Sequence, residues 1–381
     1  MKRLFLLLSI IVFFGCKEEK KEPLSFSEKT AQIPIVYAKG FSIEKLANGV
    51  CIMTITKPWP DAKTSFTYAL VPKELVNTVT LNKEDYEAIV TIPIEKVIVT
   101  STTHIPALEV LGVEDKLVGF PNTQFVSSEK TRKNIESKKV QELGNNESLN
   151  TEIALSLQPD LIIGFGINNQ NKAYKTLERS GIPVVYNGDW SEETPLGKAE
   201  WIKFFAPFFQ KEKEADHYFN TIEKNYHTAK ELVADIVKKP TVVTGGLYKD
   251  VWHVAGGKSW MAQFLNDAQV DYLWSETTET GGIATSLETV LDKAKNADFW
   301  LNPSIHTSYA ALEEANPHYT QLDAFANKKI YTNTITKGAT GGILFYELAL
   351  LRPDLVLKDL IHIFHPEILP KHQLFFFKPL K

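Results

Sequence analysis

The chain has 381 residues, 44% of them hydrophobic and 23% charged, with a formal net charge of -4. That length exceeds what one hydrophobic core usually organises, so two lobes are expected. The near-balanced charge and the lack of any basic run leave no electrostatic footprint for nucleic acid, which is excluded as a partner.

Lys2 and Arg3 precede an apolar run, Leu4 to Phe14, closed by Gly15-Cys16. The run is too short to span a bilayer, which takes about 20 residues. A small residue directly before cysteine resembles a bacterial lipoprotein signal peptide. Residues 1–16 would then end at Cys16, lipidated by a palmitate-type anchor and exposed as the mature N-terminus. An uncleaved anchor is the alternative. Either places the body outside the cytoplasm, facing the periplasm and tethered to a membrane. Residues 17–30 are charged and poor in bulky apolar side chains, as in a flexible tether. Only Cys51 then remains, so no internal disulfide is expected.

From Ile33 to Pro72 the pattern is β: FSIEKL, an Asn48-Gly49 turn, VCIMTIT, then TSFTYALV after a break at 58–61. An antiparallel extension at the edge of the first lobe follows from this, with Trp59 as a packing plug. Next, KVIVTSTTHIPALEVLG reads as strand, polar turn and a helix starting near Pro106, and KLVGF as a second strand. NTEIALSLQPDLIIGFG gives a short helix capped by Asn150, a break, and a strand whose end carries Phe165 to Asn169. A strand near Ile182 to Tyr186, a loop with Trp190 and a helix from Glu200 to Phe209 follow. Strands alternating with helices at this spacing imply a parallel sheet.

Lys211 to Val237 places Ala215, Phe219, Ile222, Tyr226, Ala229, Val233 and Ile236 on one helical stripe. As one helix it would reach roughly 40 Å, enough to connect two lobes. Beyond it the theme restarts. KPTVVTGGLY is a strand entering a loop, VWHVAGGKSWMAQFLNDA reads as loop then helix, and SLETVLDKAKNADFWL repeats the Asn150 segment with Ser286 as cap. A strand at 329–332, a glycine-rich loop at 338–342 and helices over 345–351 and the tail complete the chain. The expected class is α/β: two lobes, each with a mainly parallel sheet flanked by helices, joined by one long helix. The divisions fall at 31–194, 195–238 (the helical linker) and 239–381.

LNTEIALSLQPDLII, SLETVL, VWHVAGGKSW with NDAQVDYLW, and RPDLVLKDLIHIFHPEILP together resemble the substrate-binding proteins of ABC importers for iron-siderophores, haem and vitamin B12. The resemblance covers about Glu95 to Leu369. It implies a monomer that captures a ferric-siderophore-type complex between its lobes and delivers it to a permease and its ATPase. No resident cofactor is implied, and cobalamin or haem are the alternative cargoes. It further implies that Glu152 and Glu288, each at the second position of a capped helix, dock on the permease; a carboxylate there is also favoured by the helix dipole alone.

The same resemblance puts the ligand on loops after strand ends. The candidates are Thr102, Thr103, His104, Phe165, Asn168, Asn169, Trp190, Tyr248, Trp252, Lys258 and His306, with the 338–342 loop. Each aromatic among them could equally be partial core. A bare Zn²⁺ or Mn²⁺ site would need three or four converging ligands, for which His104, His253 and His306 are available. An enzyme is the remaining alternative, but no GxSxG elbow, P-loop or dinucleotide fingerprint occurs.

Overall fold

The structure is a computed structural model that describes residues 31–168 and 170–381. Cys16, the 17–30 tether and Asn169 lie outside the described residues. Among the described residues no helix is long and apolar enough to cross a membrane.

The N-terminal strands form the expected extension on the first lobe, sharing its core, and they do so as a sheet of their own. Strands β1 (Ala31–Gln32), β2 (Phe41–Lys45), β3 (Cys51–Ile55), β4 (Phe66–Pro72) and β5 (Ala88–Ile92) lie in that order. The first three pairings are antiparallel, and β4 with β5 is parallel. The β2 to β4 meander was legible because its alternating residues bury one face, with Phe41, Ile43, Cys51, Met53 and Ile55 all inside. Trp59 is the plug expected, meeting Phe66 and Tyr186 edge-on at 5.6 and 5.4 Å. Burial raises the Cys51 thiol above its ordinary pKa, so the lone described cysteine is a core group.

The first α/β sheet contains β6 (Val97–Val99), β7 (Leu117–Phe120), β8 (Gln141–Glu142), β9 (Leu161–Phe165) and β10 (Val184–Asn187), all parallel, in the order β10-β9-β6-β7-β8. Its strands read as continuous apolar runs because helices cover both faces. After the bridging helix come β11 (Thr241–Thr244), β12 (Gly246–Tyr248), β13 (Val251–Ala255), β14 (Asp271–Tyr272), β15 (Gly282–Thr285), β16 (Phe299–Leu301), β17 (Ile330–Thr332) and β18 (Lys378–Pro379). They make a second sheet, β14-β11-β16-β17-β18, antiparallel only at β18, and a three-stranded antiparallel sheet, β12-β13-β15. The stretch 251–255, expected as loop, is therefore the central strand of a small sheet. Its alternation is the signal: Trp252 and Val254 are buried while Val251 and His253 face out.

The bridging helix runs over Glu212–Glu231, 20 residues or about 30 Å, shorter than the stripe suggested. Beyond Glu231 the chain tightens into turns, with Leu232 N–H donating to the Ala229 carbonyl and Val233 N–H to that of Lys230. Pro240, which disfavours helix just before it, closes the stretch. The stripe itself divides between two cores. Ala215, Phe219 and Ile222 pack with the first α/β sheet, whereas Tyr226, Ala229 and Val233 pack with the second. The expected helix from Glu200 to Phe209 is the second of a pair, Pro195–Glu200 and Ile202–Phe209, and its buried Phe204, Phe205 and Phe208 lie inside the first lobe. The segment before β2 is strapped to this pair: the buried Glu200 carboxylate accepts from the N–H groups of Val36, Tyr37 and Ala38 and pairs with Lys203 at 2.9 Å.

Candidate functional site

Strands β6, β7 and β9 end side by side, and their following loops face one loop and one helix of the second lobe. Between them is a cavity of about 450 Å³, within the range of about 300–1,000 Å³ usual for small-molecule sites. The first lobe supplies residues 100–102, 120–122, Phe125, Asn146 and Phe165, and the second lobe supplies Gly341, Ile343 and Tyr346. Phe125 and Tyr346 are 55% and 58% exposed, large rings presented to solvent from opposite lobes.

The lobes are clasped beside this cavity. Glu347, on the helix Leu344–Leu348 of the second lobe, accepts from the N–H groups of Ser127 and Ser128 of the first at 2.6 and 2.8 Å. The Ser127 hydroxyl donates to the Gly342 carbonyl at 3.1 Å. A Cβ at Gly342 would sit 2.2 Å from the Phe125 carbonyl oxygen, so only glycine permits this approach. Burial pushes the Glu347 carboxyl up to about 7, against the opposing pull of the two backbone donors.

The sequence profile described as "Periplasmic binding protein" matches residues 97–335, well over half of the chain. The chain belongs to the periplasmic binding protein family. An uncharacterized lipoprotein of Methanocaldococcus jannaschii is 26% identical over 298 residues, covering 76% of this chain and 69% of its own length. Among solved structures, a possible iron-binding (periplasmic solute-binding) protein from Staphylococcus epidermidis superposes with a TM-score of 0.56 at 18% identity, covering 71% of this chain and 98% of that one. A periplasmic heme binding protein from Pseudomonas aeruginosa gives 0.56 at 19%, covering 76% and 98%. At these identities the likeness establishes the fold alone.

In this periplasmic binding protein the expected ligand residues scatter. Thr102 and Phe165 line the cavity, and of the glycine-rich loop Gly341 does so. Thr103 turns back, its hydroxyl 2.9 Å from that of Ser101. Asn168 is exposed and its side-chain Oδ1 accepts from the Gln170 N–H. Trp190 stands behind Phe165, ring centroids 5.5 Å apart. Tyr248, 62% exposed, sits on the β12–β13 hairpin, and His306, half-buried with its pKa lowered by burial, on the loop after β16. Neither reaches the cavity wall.

Three candidates belong elsewhere. Trp252 is fully buried, stacked 5.2 Å from Trp300, with Nε1 donating to the Thr244 carbonyl: it is core. Lys258 lines a separate groove of about 860 Å³ with Lys239 and Glu276. His104 is fully buried against Phe205, facing Asn187 and Asp189 without a well-formed hydrogen bond at either ring nitrogen, and burial lowers its pKa. Among the described residues no three His, Cys, Asp or Glu side chains gather as a metal site, so His104, His253 and His306 are not a ligand set.

The described lining residues missed from the sequence are Thr100, Ser101, Phe120, Pro121, Asn122, Phe125, Asn146, Ile343 and Tyr346. Asn122 carries the best signal, since its φ of +52° marks a left-handed turn of the kind asparagine tolerates directly after a buried strand. Glu152 and Glu288 are both exposed in the first turns of Thr151–Leu157 and Leu287–Ala294. Asn150 accepts from the Ile153 N–H at 3.0 Å and Ser286 from that of Thr289 at 3.2 Å, so both caps form. Hydrogen bonds from its own backbone N–H and from Ser286 hold the Glu288 carboxyl below its ordinary pKa.

Proposed function

We propose that this periplasmic binding protein captures an iron complex of the siderophore or haem type in the inter-lobe cavity and hands it to an ABC permease driven by its ATPase. The observation that carries this reading is the cavity itself. Its walls come from two lobes that one helix holds apart, and Phe120, Phe125, Phe165 and Tyr346 give it ring faces suited to a bulky, partly apolar guest. Structural relatives described as a possible iron-binding protein and a heme binding protein support the same class of cargo.

The body comprises lobes at 31–194 and 239–381 with 195–238 between them. It acts as a monomer tethered through a lipid on Cys16, an assignment supported by the relative named a lipoprotein. It binds without catalysis. Glu152 and Glu288, one exposed carboxylate per lobe on equivalent capped helices, are the permease contacts. Titration of the full chain in non-ionic detergent, following tryptophan emission, tests the capture step. Because Trp190 backs Phe165, an absorbing guest in the cavity quenches it. Saturable quenching by an iron chelate, lost in Phe165→Ala, is expected; a flat response to ferric siderophores, haemin and corrinoids alike refutes the reading.

A further inference from the structure

Resting on that reading, we infer that the cavity selects metal chelates carrying no net negative charge and turns away polyanionic ones. Among the described residues twelve line it, and none of these is charged. The groups hydrogen-bonded behind the wall are neutral (Thr103, Gln124, Asn171, Tyr174) or carboxylates, and the charged ones nearest it are mainly carboxylates. Glu142 accepts from the N–H groups of Asn122 and Thr123 at 2.9 and 2.8 Å, and Glu147 accepts from the Asn146 amide at 3.1 Å. Glu347, next in sequence to Tyr346, accepts from Ser127 and Ser128. One guanidinium stands behind the same wall, Arg132, which donates from Nη1 to the Thr123 carbonyl at 2.6 Å. It lies outside the lining.

An anion entering this space would exchange water for rings, hydroxyls and amides with no facing cation, under a field set chiefly by the Glu142 and Glu147 carboxylates, with Glu347 adding to it as it ionises near pH 7. Burial of an unpaired charge is strongly unfavourable, and like charges nearby add to the penalty. A neutral complex meets neither term and gains from ring contact. The chemistry of ferric chelates divides along this line. Three hydroxamates, each singly charged, neutralise ferric ion, whereas three catecholates leave a trianion of similar size.

The test compares a neutral ferric trihydroxamate, a trianionic ferric tris-catecholate, haemin and a neutral corrinoid against the full chain, by tryptophan quenching. The expected result is a neutral complex bound at least about 100-fold tighter than the tris-catecholate. Its affinity should also be unchanged between about 50 and about 500 mM salt. A second arm separates charge from size: Phe125→Arg, at a ring already open to solvent, should improve tris-catecholate affinity at least about tenfold. If the tris-catecholate or haemin binds wild type as tightly as the neutral chelates, or if Phe125→Arg leaves the preference unmoved, the charge filter is overturned while the metal-complex reading stands. Failure of all four to bind overturns both.

Discussion

At the scale of single residues, Glu347 makes the sharpest demand on solution behaviour. Its folded pKa of about 7 lies above the ordinary carboxyl value of 4.5, so the folded state holds the proton more tightly than the unfolded chain. For an acid shifted upward, stability is greatest below the unfolded pKa and declines as pH rises towards the folded one. Between about pH 4.5 and pH 7 this group should therefore withdraw on the order of 2–4 kcal/mol. Glu347→Gln, which keeps an acceptor for one of the two serine N–H groups, should flatten that slope in urea unfolding followed from pH 5 to pH 8; an unchanged slope would assign the pH dependence elsewhere. Trp252 supplies the opposite lesson. In sequence it looked like a ring on a binding loop, because a glycine-rich stretch follows it and its strand is short. Packed on Trp300 and Tyr319, it is core, and Trp252→Ala should cost about 3–5 kcal/mol in unfolding. Once corrected for the folded fraction, ligand affinity should be unaltered. Loop aromatics carry no sequence mark that separates these two fates; burial is decided by a partner 48 residues away.

At the scale of elements, the legible features were those with a local cause. Asn150 and Ser286 cap their helices because a side-chain oxygen meets an N–H three residues on, a pattern written in adjacent residues. Each of those segments ends on an aspartate with the same second task. Asp160 accepts from the N–H groups of Glu95 and Lys96 ahead of β6, and Asp298 accepts from that of Thr241 at the start of β11. The repeated theme thus reflects one solution used in both lobes. Features that depended on distant partners were hidden, among them the separate N-terminal sheet and the closing strand β18. The bridging helix is legible for the first reason and tests the second. Lys224 lies on its exposed face, between the halves committed to each core. Proline there removes a backbone donor mid-helix and costs about 3 kcal/mol or more, without disturbing either stripe. Lys224→Pro should leave the sheets of both lobes intact by far-UV circular dichroism yet weaken ligand binding at least about tenfold, because the cavity needs both walls in register. Lys224→Ala, the control, should bind normally; equal affinity in the proline variant would mean that the Glu347 clasp alone fixes the lobes.

For the whole molecule, the proposed separation of capture from delivery rests on where charge sits. Among the described residues the cavity wall is uncharged, while Glu152 and Glu288 are exposed, outside the lining, one on each lobe. A carboxylate in the first turn of an exposed helix contributes about 0.3–1 kcal/mol through the helix dipole, a term that salt screens. Reversing both charges therefore removes little from the fold and nothing from the cavity. If the two lobes meet the permease through these carboxylates, each reversal replaces an attraction to a cationic pocket by a repulsion, and the partner's charge is left without a counter-ion. The double variant Glu152→Lys, Glu288→Lys should bind its iron chelate within about twofold of wild type, while uptake and ligand-stimulated ATP hydrolysis by the reconstituted permease fall at least about tenfold. Each single reversal should cause an intermediate loss, because docking through two lobes is bivalent and the remaining contact still sets the orientation. Uptake surviving the double reversal would move the docking surface to other residues, and a parallel loss of chelate binding would show that these helices support the cavity and not the permease contact.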